Sequence, residues 1–135
     1  LSSLLSYNYV RPIGIESEDG IGAIIREHES GKLHTIKIVR ESEGPSRSAA
    51  SEIKMHVKAS ASKYVVTMHH SGSISEFTHF GIGEFITSTM NDRIGHIQDE
   101  EFWRWSSQLA QAVVDIHRSS VIHLALQVRL RKLWL

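Results

Sequence analysis

Apolar and polar positions change their period several times along this chain. In "YNYVRPIGI" (Tyr7 to Ile15) aromatic and β-branched residues crowd together, as in a strand. Acidic "ESED" interrupts before "GIGAIIREH", a second strand ending near His28. "ESGK" reads as a turn and "LHTIKIVR" (Leu33 to Arg40) as the clearest strand; a short glycine-containing link makes the two an antiparallel hairpin. After polar "ESEGPSR", Ala49, Ile53 and Val57 recur at helical spacing through "SAASEIKMHVKAS". "YVVTMHHSGSISEFTHFGIGEF" holds two more β-rich runs around a Ser/Gly turn. "DEEFWRWSSQLAQAVVDIHRSS" predicts the longest helix, with Phe102, Trp105, Leu109, Ala112 and Ile116 on one stripe. Asp99, Glu100 and Glu101 stand at its positive end, where acids are stabilised. Three strands, a helix, two strands and a helix do not alternate one for one, so the expected class is α+β with a five-stranded antiparallel sheet.

Composition narrows the functions. Fifteen Lys and Arg balance fifteen Asp and Glu, so no bulk field draws the chain to nucleic acid or an acidic membrane. No apolar run approaches the roughly 20 residues that a membrane span needs. "LSSLLSY" is too short, and lacks the basic flank, for a secretory signal. The absence of cysteine rules out disulfides, thiolate metal sites and a cysteine nucleophile, and fits a reducing, intracellular setting, cytoplasmic or nuclear. Nine histidines raise the question of zinc. His69 and His70 are adjacent, however, and in a strand point to opposite faces; no H-x-x-x-H or H-E-x-x-H occurs. No metal is expected.

Five strands with one helix after the third is the layout of the small lobe of protein kinases, and short motifs follow that order. "TIKIV" resembles the third-strand motif of that family, and "SEIKMHVKASASKYVVTMHH" its following helix and fourth strand, especially in fungal serine/threonine kinases. "FGIGEFI" is similar to the fifth strand and hinge, and "EEFWRWSSQLAQAVVDIHRSSVIHLAL" to the long large-lobe helix that leads into the catalytic loop. The resemblance covers about residues 7 to 127. It implies a small lobe with hinge over residues 1–86 and part of a large lobe over 87–135. It also implies that Lys37 would neutralise nucleotide phosphates and Glu52 would hold that lysine by an ion pair. Taken alone, each would read as an ordinary solvated residue. Gly14, Gly20 and Gly22 fall in the phosphate-covering loop, and Glu84 and Ile86 in the hinge beside the base. Gly83, just before the hinge, implies a pocket that extends deeper than usual.

Two departures weaken the implied chemistry. The family's loop reads G-x-G-x-x-G, whereas "IESED" between Gly14 and Gly20 has no middle glycine and carries Glu16, Glu18 and Asp19, which repel a triphosphate. The active motif H-R-D-L-x-x-x-N meets "HLALQVRL": His123 matches, but Leu124 replaces Arg, Ala125 the catalytic Asp, and Leu130 the metal-binding Asn. Alanine cannot accept a proton. The resemblance therefore implies a truncated, catalytically degenerate kinase-like domain, with weak ATP binding at most. Association with another protein or with itself would run through the 100–118 helix and the tail "VRLRKLWL". The alternative is a fragment of an active serine/threonine kinase whose end has been altered.

Overall fold

The computed structural model describes residues 2–14, 20–41, 48–93 and 95–121. After a short 3-10 turn at Ser2–Ser6 come β1 (Tyr7–Pro12), β2 (Gly20–Glu27), β3 (Leu33–Arg40), α1 (Ala49–Ala59), β4 (Met68–Ser75), β5 (Thr78–Gly83), the single-turn α2 (Met90–Arg93) and α3 (Asp99–Arg118). The strands form one antiparallel sheet in the order β1-β2-β3-β5-β4, so the class is α+β.

Local chemistry explains most of the boundaries. β2 and β3 turn through Gly31, whose φ of 67° suits a residue without a Cβ; its N–H donates to Glu27 O at 2.9 Å, and the Glu27 N–H donates to Lys32 O. Ser48 caps α1 by accepting the Ser51 N–H at 3.3 Å. At the start of α3, the Glu101 carboxylate reaches back to the Gln98 N–H at 3.2 Å and also takes the Arg93 guanidinium. That guanidinium lies over the Trp105 ring at 5.7 Å. The Gln98 N–H, reinforced by Arg93, holds the Glu101 carboxyl below its ordinary range.

Two sequence expectations are corrected, and one element is new. β1 stops at Pro12, so Ile13 and Gly14 lie beyond the strand. The link between β4 and β5 is Glu76-Phe77, and the Ser71-Gly72-Ser73 run lies inside β4. The reason is packing: a Cβ on Gly72 would come within 2.8 Å of the Phe80 ring, so glycine there makes room for the largest fully buried side chain. The short α2 carries no apolar period; its start is set by Thr89 and Asp92, each accepting the other's backbone N–H.

Apolar burial is divided between the faces of the sheet. On one face Ile25, Ile36, Phe80 and Ile82 form the main cluster, with Leu4 and Tyr7 packed against it. On the other, α1 lays Ala49 and Ile53 over Val39 and Met68. The C-terminal half of α3 is fixed separately, by Ile116 packing with Ala59 and Val121. Its N-terminal half leaves Phe102 and Trp103 exposed at 52% and 70%.

Candidate functional site

Strand alternation decides what surrounds Lys37. In an antiparallel sheet directly opposed residues share a face. Lys37 opposes Gly22 on β2 and Gly81 on β5, while Val39 opposes Gly20 and Thr35 opposes Gly83. All of these lie on the face that carries α1. On that helix Glu52 stands one position before the buried Ile53, at the edge of its apolar stripe. The Lys37 Nζ and Glu52 Oε1 are 2.6 Å apart, with about two-fifths of each side chain exposed. An ion pair that open to water is worth about 0–1 kcal/mol, so it positions the lysine more than it holds the fold.

The glycines beside Lys37 do not leave vacant space. A Cβ on Gly22 would lie 2.9 Å from Ile13 O and 3.3 Å from Ile13 Cγ2, so the residue following β1 folds back over β2. Its N–H donates to Gly22 O at 3.1 Å. On the other side, the Met68 sulfur and methyl lie over Gly81. Ile13 and Met68 are both buried. Gly20 is likewise close-packed, against Ile38 O. Gly14, at φ 76°, stands in open space at the edge of this region.

The segment after β5 is tied back to the sheet. The Glu84 N–H donates to Thr67 O at 2.9 Å, and the Glu84 carboxylate accepts the Thr67 N–H at 2.8 Å. The Ile86 N–H donates to the Thr35 hydroxyl at 3.1 Å. Arg11 donates to Thr87 O at 3.0 Å, joining β1 to the same segment. The deeper pocket expected at Gly83 is not there. Gly83 is buried, and a Cβ on it would run into Thr67 O, which belongs to the backbone and cannot rotate away.

The structure therefore brings Lys37, Glu52, Gly20 and Gly22 onto one face; Ile86 reaches that face through its bond to Thr35, and Glu84 is tied to Thr67. His123, Ala125 and the remainder of the loop, with Glu16, Glu18 and Asp19, lie outside the described residues. Thr35, Ile13 and Met68 were not among the sequence candidates. Thr35 could have been found, because it stands two positions before Lys37 and strand period places both on one face. Ile13 and Met68 gave no such signal.

A second polar cluster joins α3 to the loop after α1. Ser62, itself buried, donates to Asp115 Oδ2 at 2.7 Å, and Gln111 donates to Oδ1 at 2.8 Å. These two bonds, Ser62 first, lower the Asp115 pKa. They border an open groove of about 620 Å³ between Lys63, Tyr64 and Arg118. Among the described residues no three His, Asp or Glu side chains group as a metal site, and no helix is long and apolar enough to cross a membrane.

Comparison with protein-family models found no match to this chain, and neither did a search of curated proteins.

Proposed function

We propose that this chain is a protein-kinase-like domain that does not transfer phosphate and acts by associating with protein. The observation that carries the reading is the Lys37–Glu52 pair at 2.6 Å, joining the third strand of a five-stranded antiparallel sheet to the helix that follows it. Strand count, helix position and the pairing of one specific lysine with one specific glutamate are independent features, and the kinase-like reading accounts for all three.

Several features support loss of phosphotransfer. Ala125 stands where the resemblance puts the catalytic carboxylate, and Leu130 where it puts a metal-binding amide. A positioned base contributes about 10²–10⁴-fold, and alanine supplies none of it. For ATP the fit is divided. The Lys37 ammonium suits a phosphate, whereas the base end offers no free Ile86 N–H and no uncovered glycine floor. Association is supported by α3, where Phe102, Trp103, Leu109 and Val114 are exposed on one helix.

The test is incubation with γ-labelled ATP, Mg²⁺ and a mixed peptide library. Background labelling is expected. Labelling above background that Lys37→Ala removes would instead establish the second reading, an active serine/threonine kinase. That reading is favoured by the same intact ion pair.

A further inference from the structure

The ligand class of the Lys37 face follows from what this chain has already placed there; the inference rests on the kinase-like reading of that face. A bound nucleotide has an anionic end and a flat aromatic end. The aromatic end needs an apolar floor and walls, with a few fixed polar groups, commonly backbone N–H and C=O, to orient it. The residues beside Lys37 have the form of such a floor, since Gly22 and Gly81 flank it with no side chain of their own. Both are covered from within: Ile13 lies over Gly22, and Met68 over Gly81. Two residues along β3, about 7 Å from Lys37 on the same face, Thr35 accepts the Ile86 N–H at 3.1 Å. A base lying along β3 from Lys37 would meet the Thr35 hydroxyl and methyl where it needs space, with the adjoining donor already engaged.

We infer that Thr35 closes the base end of this site, so that the Lys37 face takes the polyphosphate portion of a ligand and does not read a nucleobase. The phosphate end stays accessible, because the Lys37 side chain is 39% exposed. The base end is sealed by a hydrogen bond within the protein, flanked by the two buried apolar side chains. Inserting a base would require breaking the Thr35–Ile86 bond, and a bond of that kind is worth up to roughly tenfold in affinity.

The experiment is calorimetric titration of ATP and of inorganic triphosphate, each with Mg²⁺, into the unmodified chain and into Thr35→Ala, Thr35→Ser and Lys37→Ala. In the unmodified chain the two ligands should bind alike, within about twofold, because only the phosphates are held. Thr35→Ala removes the acceptor and opens space, and should tighten ATP by about tenfold while leaving triphosphate unchanged. Thr35→Ser keeps the hydroxyl and should behave as the unmodified chain. Lys37→Ala should abolish binding of both ligands. If ATP already binds the unmodified chain more than about tenfold tighter than triphosphate, the base is being read and the inference is overturned. That comparison needs no variant and stands even if Thr35→Ala fails to fold. Triphosphate binding that depends on Lys37, with ATP indifferent to Thr35→Ala, overturns the inference and leaves the kinase-like reading intact. Absence of any Lys37-dependent binding overturns the inference, while the kinase-like reading, which rests on the Lys37–Glu52 pair and asks for no ligand, is tested separately by the labelling experiment.

Discussion

On one face of β3, Ile36 and Ile38 stand among Ile25, Phe80 and Ile82; on the other, Lys37 and Val39 stand among Gly20, Gly22 and Gly81. The first face is filled by side chains that the strands themselves project, with Gly72 alone giving up its volume, to the ring of Phe80 opposite it. The second has been emptied at Gly22, Gly81 and Gly83 and is refilled from elsewhere, by Ile13, Met68 and the Thr67 carbonyl respectively. Burial of the first face depends on residue type. Burial of the second depends on where the chain returns to cover the gaps. A lysine can stand on the second face because its neighbours are small and its own end reaches water.

The largest expected effect tests the first face. Phe80 is 1% exposed, and Phe80→Ala should destabilise the chain by about 3–5 kcal/mol, read from the denaturant midpoint at unchanged slope. A loss below about 1 kcal/mol would mean that this face is not the main core.

The next tests the second face at its tightest point. Gly83→Met should cost about 1–3 kcal/mol or more, because the new side chain meets the Thr67 backbone. If the variant instead matched the parent in stability, the space beside Gly83 would be open and the contrast between the faces would fail there.

Lys37→Ala should change stability by only about 0–1 kcal/mol, since its pair with Glu52 is well exposed. A loss comparable with that of Phe80→Ala would make the pair part of the core.

The smallest effect concerns acid. The Ser62 and Gln111 hydrogen bonds lower the Asp115 pKa on folding. A lowered folded pKa contributes stability that is present above the unfolded value, near pH 4, and lost as pH falls through the folded value. Asp115→Asn should therefore make thermal stability less dependent on pH below about 4. The two proteins should differ more at pH 6 than at pH 2.5, because the parent alone still carries the charge-assisted bonds there. Identical pH profiles would mean that the Ser62–Asp115 tie does not form.

Periodicity along the chain determined much of this protein. It placed β2, β3, α1 and α3 close to their final limits, because alternation and the 3.6-residue repeat are local consequences of having one apolar side. Periodicity did not single out Lys37 and Glu52; they came from the resemblance of an ordered set of short motifs to those of protein kinases. The tertiary structure decided the rest. The link after β4 moved to Glu76-Phe77 because Gly72 accommodates the ring of Phe80, and no local rule records what a glycine will face. Whether the glycines beside Lys37 form a pocket or a packed surface was settled by Ile13 and Met68, which are 24 and 31 residues distant along the chain. Composition states how much volume a residue lacks. Only the folded path states which other side chain supplies it, because close packing is a relation between segments that the sequence keeps apart.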